Sequence, residues 1–204
     1  MLPTPDITHV RRTYGDAVYD PAEDTFALMD ALEQDAQALQ HTTLCVEIGS
    51  GSGCVSTFAA QLVGPHAAYV CTDINAAATL CTRDTAERNH VVLDVVRAST
   101  LDGLRLTGLV DLLLFNPPYV VTSDEEEAAA QAHAALAGAW AGGTYGTALL
   151  QRMIDDGVFE RTLRRGGRLY VVTIKQNDPE GLVRQLAAHG FEADVHRVAP
   201  PRKS

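Results

Sequence analysis

Four consecutive residues, Asn116-Pro117-Pro118-Tyr119, join an amide side chain, two prolines and a phenol. Prolines fix the backbone and carry no N–H donor, so the carbonyl groups around them project in set directions. Beside those carbonyls stand the side-chain oxygen of Asn116 and the flat face of Tyr119. The set is rich in acceptors and suits a planar NH2 group, which makes Asn116, Pro117 and Tyr119 candidate catalytic residues. The plain alternative is a proline-rich turn closing a buried strand. A second cluster is Val46-Glu47-Ile48-Gly49-Ser50-Gly51-Ser52-Gly53. Glycines at every second position let the chain turn sharply and approach a ligand closely. A dinucleotide fingerprint needs GxGxxG, and Cys54 or Ser56 stands where the third glycine must be. A nicotinamide or flavin cofactor is therefore disfavoured. Glu47, ahead of the first glycine, suits a cationic ligand with amino groups better than a pyrophosphate.

Three further segments carry polar groups in suggestive places. Asp73, 20 positions beyond Gly53, follows an apolar run and can accept two ribose hydroxyls; alternatively it caps the next helix. Ser99 and Thr100 follow the next apolar run, where a polar group can meet an adenine amine; a plain loop is the other reading. In Tyr19-Asp20-Pro21-Ala22-Glu23-Asp24-Thr25, the proline and the two acids suit a helix start. A functional reading makes this segment a lid that lays Thr25 over a cofactor.

Such scattered groups need a scaffold that brings them to one place. Strands are expected over Leu44–Ile48, Ala68–Thr72, Val91–Arg97, Val110–Phe115, Arg168–Ile174 and Ala193–Val198. Helices are expected over Ala22–Gln40, Val55–Val63, Asn75–Asn89, Gly146–Leu163 and Pro179–Gly190. This alternation implies an α/β fold, an open parallel sheet with helices on both faces. Ligands on such sheets bind at the carboxyl ends of the strands, where four of the five segments fall.

At 204 residues, 46% hydrophobic and 21% charged, the chain reads as one domain, 1–204, with a buried core. With 16 basic and 26 acidic residues the formal charge is −10, without the basic footprint of a chain that holds nucleic acid alone. No apolar run reaches the ~18 residues of a membrane span, and the first residues lack a signal-peptide core. Cys45, Cys54, Cys71 and Cys81 form no CxxC pair and read as reduced core thiols, which places the protein in a reducing cytoplasm or nucleus. The histidines lack metal spacing, so no metal site is expected.

Glu-x-Gly-x-Gly-x-Gly, an Asp at a later strand end and Asn-Pro-Pro-Tyr, in that order, resemble the class I S-adenosyl-L-methionine (AdoMet) methyltransferases that modify planar amide or amino nitrogens. With Tyr-x-Pro-Ala-Glu-Asp-Thr at 19–25 and Ala-Trp-Ala-Gly-Gly at 139–143, the chain is more narrowly similar to the HemK-type protein-glutamine N5-methyltransferases. Within these it resembles the eukaryotic and archaeal branch acting on the class-one translation release factor. The resemblance implies a Rossmann-like fold, AdoMet as cofactor and methyl transfer to a glutamine amide nitrogen. It further implies that Thr25 meets the cofactor carboxylate, Glu47, Gly49 and Gly51 its methionine or ribose end, and Asp73 the ribose hydroxyls. Ser99 and Thr100 would then face the adenine, and Asn116 would lie between cofactor and substrate. Ser99 stands where the family usually carries an Asp, and the class's closing antiparallel strand has no counterpart after Ala193–Val198.

In the sheet order of this class, Val91–Arg97 is an edge strand. Five of its seven residues are apolar and Asp94 is its only acidic guard; proteins normally cover such an edge. Another chain is expected to add a strand here, and the resemblance implies the small zinc-binding activator subunit of translation-related methyltransferases. A covering helix or a twofold dimer is the plainer alternative. Two other acceptors compete with glutamine. Adenine N6 in DNA needs the same clamp plus base flipping and a recognition domain; lysine on a histone-like protein is the second. A non-catalytic AdoMet scaffold is disfavoured by the intact Asn116 cluster. The run Asp124–Glu127 reads as a solvated loop or an acidic rim for a basic partner. Trp140 with Gly142, Gly143 and Gly146 reads as a substrate flap or a packed aromatic.

Overall fold

Val110–Phe115 and Leu44–Ile48 are nearly unbroken apolar runs, the mark of strands covered on both faces. They form the centre of the sheet. In the computed structural model, which describes residues 2–117 and 148–196, β1 (Leu44–Ile48), β2 (Ala68–Asp73), β3 (Asp94–Arg97), β4 (Val110–Phe115) and β5 (Leu163–Val171) are all parallel. Their order is β3-β2-β1-β4-β5, so the chain winds outward from β1 in both directions.

Side chains alternate across the sheet and divide the core. On one face, α1 (Glu23–Gln34), α2 (Ala36–Leu39) and α3 (Cys54–Val63) bury Leu28, Leu32 and Phe58 with Cys45, Leu112 and Leu114. On the other, α5 (Ala148–Asp155) and α6 (Val158–Thr162) pack Met153, Ile154 and Phe159 on Val46, Leu113 and Phe115; α7 (Pro179–Ala188) adds Leu182 and Leu186. α4 (Ala76–Arg88) meets the N-terminal segment through Val10, Val18, Ala78 and Cys81. All four cysteines are buried and free.

At the amino end of the sheet, Asp111 ties β4 to β1. Its Oδ2 accepts the N–H groups of Thr43 at 2.7 Å and Leu44 at 2.9 Å, and Arg164 pairs with its other oxygen. Burial pushes this carboxyl up, but the Thr43 and Leu44 hydrogen bonds and the Arg164 charge hold it below its ordinary value.

Several boundaries differ from the sequence expectation, each for a local reason. The helix expected over Ala22–Gln40 breaks at Asp35, whose carboxylate accepts the Tyr170 hydroxyl and lies 3.8 Å from Arg168 on β5. The helix expected over Gly146–Leu163 breaks at Gly157, which is left-handed at φ 61°. β3 starts at Asp94 instead of Val91, because the Val91 N–H bonds back to Ala86 at the end of α4. β5 starts at Leu163 and ends at Val171, not Arg168–Ile174, pairing Leu163 with Val110 across a register shift. No strand forms over 193–196, and 197–198 lie outside the described residues. Tyr119, Asp124–Glu127, Trp140, Gly142, Gly143 and Gly146 also lie outside them.

Candidate active site

The carboxyl ends of β2, β1 and β4 lie side by side. Ile48 pairs with Thr72 on one side and Phe115 on the other. One residue further on, Gly49 therefore sits between Asp73 and Asn116.

The glycine loop turns from β1 into α3 beside Asp73. Gly51, at φ 53°, donates its N–H to Asp73 Oδ2 at 2.9 Å, and Asn75 donates to Oδ1 at 2.8 Å. The helix cap is Asn75, which accepts from Ala77 at 2.9 Å; Asp73 instead braces the loop. Burial raises its carboxyl, and the two backbone donors oppose that shift. Each of its oxygens keeps a second lone pair for another donor. Gly53, at φ 75°, lies against α4, where an added Cβ would fall 2.7 Å from Thr82 Cα. Two α4 threonines hold the back of the loop: Thr82 donates to Gly51 O at 3.2 Å and Thr85 to Ser52 O at 2.6 Å. In front, a Cβ on Gly49 or Gly51 would meet nothing within 4 Å among the described residues. An open backbone shelf ending in a carboxylate fits AdoMet, whose ribose supplies adjacent hydroxyls and whose methionine end supplies an amine.

Glu47 is buried at the end of β1, only 2% exposed. Its Oε2 accepts the Ser56 N–H at 3.1 Å and the Ser56 hydroxyl. Burial pushes its carboxyl up to about 8, opposed by the Ser56 hydrogen bonds and reinforced by Asp73. Its Oε2 is thus engaged by the first turn of α3. Ser99 is exposed and Thr100 is left-handed at φ 52°; an Ala98 N–H bond to Asp73 O brings this loop to the end of β2.

At the end of β4 the buried Asn116 Oδ1 has no hydrogen-bond partner among the described residues. Leaving a buried acceptor unpaired costs about 1–3 kcal/mol. The amide nitrogen of the same side chain donates to Asp24 Oδ2 at 2.7 Å. Asp24 Oδ1 accepts the Tyr19 hydroxyl at 3.0 Å. Thr25 is buried next to it, with its hydroxyl 3.4 Å from the Ala22 N–H. Pro117 follows Asn116 and is buried. The structure thus brings Thr25, Glu47, Gly49, Gly51, Asp73, Asn116 and Pro117 to one end of the sheet. Sequence reasoning assigned Asp24 to the helix dipole and overlooked Thr82 and Thr85. The sole signal for Asp24 was its place between Tyr19 and Thr25.

A family model described as "Methyltransferase small domain" matches residues 13–189. The chain belongs to the small-domain methyltransferase family, on its HemK-type branch. Its methyl donor is S-adenosyl-L-methionine. The chain is similar to "Methyltransferase HEMK2" of Mus musculus, at 44% identity over 94% of this chain and 87% of that protein. It is 37% identical to "eRF1 methyltransferase catalytic subunit mtq2" of Schizosaccharomyces pombe, over 94% of this chain and 87% of the other. Among solved structures, the ribosomal protein L11 methylase of Lactobacillus delbrueckii subsp. bulgaricus superposes with a TM-score of 0.62 at 17% identity. That superposition covers 90% of this chain and 76% of the other, and it speaks for the class I fold.

Proposed function

We propose that this enzyme transfers a methyl group from AdoMet to the side-chain amide nitrogen of a glutamine in the class-one translation release factor. The name of the HEMK2 relative supports methyl transfer, that of mtq2 a release-factor substrate, and that of a Methanocaldococcus jannaschii relative, "Putative protein N5-glutamine methyltransferase MJ0928", the glutamine nitrogen. The observation that carries the chemistry is the buried Oδ1 of Asn116 beside the glycine shelf, without a hydrogen-bond partner among the described residues. An amide nitrogen is a poor nucleophile because its lone pair is delocalised into its carbonyl. Asn116 Oδ1 and the Pro117 carbonyl accept its two N–H groups and turn the lone pair toward the methyl. In this reading Tyr119 would pack against the amide plane. When bound, AdoMet would supply an electrophilic methyl on a sulfonium, whose transfer would leave a neutral thioether. The methylated nitrogen then releases its proton to solvent, so no strong base is required. Orientation of this kind can supply roughly 7–11 kcal/mol. Asp73 takes the ribose hydroxyls, Ser99 and Thr100 the adenine, Thr25 the carboxylate, and Glu47 with Gly49 and Gly51 the methionine or ribose end.

Residues 1–204 act as one cytoplasmic domain in this reading, and a second chain completes the enzyme. β3 is an edge strand with Val95 and Val96 half-buried, and Val92 just before it is 81% exposed. A small zinc-binding activator subunit adding a strand here covers that edge.

The test is kinetic. Asn116→Ala should keep AdoMet affinity by calorimetry and lose turnover on recombinant release factor by about 100-fold or more. Wild-type turnover in that variant would remove the clamp from the mechanism.

A further inference from the structure

Asn116 is useful as an acceptor only if its amide points one way. Flipped by half a turn, it offers an NH2 to the NH2 of the substrate, two donors facing each other. Nothing in Asn116 itself decides between the two orientations. Asp24 decides it: a carboxylate only accepts, and its Oδ2 takes the Asn116 Nδ2–H at 2.7 Å. The opposite edge of the amide, Oδ1, is then left buried and without a partner among the described residues. Asp24 is in turn fixed by the Tyr19 hydroxyl, which donates to Oδ1 at 3.0 Å.

We infer that Asp24 is a positioning residue for methyl transfer: it locks the amide of Asn116 with its oxygen toward the substrate nitrogen, and Tyr19 holds Asp24 in place. This rests on the acceptor role of Asn116 proposed above. Asp24 also places a negative charge behind the amide, which polarises it and strengthens Oδ1 as an acceptor while positive charge develops on the substrate nitrogen. The 19–25 segment thereby acts on the substrate side of the reaction through Asp24, 92 residues away in sequence from Asn116.

The experiment measures kcat on release factor and AdoMet affinity for the wild type and five variants, each with the activator present. Asp24→Ala should lower kcat by about 100-fold, the cost of misplacing a reacting group, with AdoMet affinity retained as proof of folding. Asp24→Asn should also lower kcat, because one amide oxygen then has to serve both Tyr19 and Asn116. Asn116→Asp sets two carboxylates against each other and should be equally poor. The double variant Asp24→Asn/Asn116→Asp restores the donor–acceptor match with the polarity reversed. The amide now at position 24 accepts from Tyr19 and donates to the carboxylate now at position 116, whose second oxygen faces the substrate. This variant should turn over faster than either single variant. That rescue is a result no merely structural role for Asp24 produces. Wild-type kcat in Asp24→Ala, or a double variant no better than the singles, overturns the inference. Wild-type kcat in Asn116→Ala, the fifth variant, overturns instead the acceptor role beneath it.

Discussion

Burial pushes the Glu47 carboxyl from its ordinary 4.5 up to about 8. Between those values the folded protein holds a proton that the unfolded chain has released. The stability this proton contributes is complete below 4.5 and is lost as the pH rises through about 8. Glu47→Gln cannot ionise, so its Tm should fall less than that of the wild type across this interval. Parallel Tm–pH curves for the two proteins would show that Glu47 does not titrate there. The placement of individual residues was legible in the sequence where local spacing encodes it. Asp73 and Asn116 each follow an apolar run directly, and the structure puts both at strand ends. Asp24 was not legible, because its partner lies far along the chain and an acid at a helix start already has a sufficient local explanation in the helix dipole. The pairing of Glu47 with Ser56 was hidden differently: nothing in a sequence says which oxygen a buried carboxylate spends on a helix N-terminus.

Two threonines grip the glycine loop from behind, and among the described residues nothing lies within 4 Å of a Cβ added at Gly49 or Gly51. Thr82 and Thr85, on α4, hold the carbonyls of Gly51 and Ser52, which leaves the face of Gly49 and Gly51 open. Gly53 is where the loop meets that helix. Its left-handed backbone and the 2.7 Å approach of an added methyl to Thr82 Cα both resist a side chain. Gly53→Ala should therefore destabilise the fold by about 1–3 kcal/mol, read by chemical denaturation, and weaken AdoMet binding. A variant as stable as the wild type would mean the loop is not pinned against α4. Hydrophobic pattern located β1 and β4 to the residue, since both are buried on two faces. It misjudged β3, β5 and the long helices, whose limits depend on contacts that pattern does not contain: Val91 returning to Ala86, Leu163 finding Val110, Asp35 turning toward β5.

Among the described residues the sheet is open, with β3 and β5 at its edges, and the chain is acidic, with a formal charge of −10. An open edge is a site for another strand, and the overall charge favours a protein substrate over nucleic acid. If the activator pairs with β3, Val96→Asp should abolish co-purification of the two chains and leave AdoMet-binding residues untouched. A soluble, monomeric and fully active lone chain, with Val96→Asp neutral on co-expression, would rule the edge out as the interface. The central claim concerns the atom that receives the methyl group, and mass spectrometry tests it directly. Class-one release factor is incubated with AdoMet and the enzyme–activator pair, digested and fragmented. The account predicts one added methyl on the side-chain nitrogen of a glutamine, absent when Asn116→Ala replaces the wild type. A methyl found instead on lysine, or on adenine in a parallel DNA incubation with no glutamine modified, would contradict it.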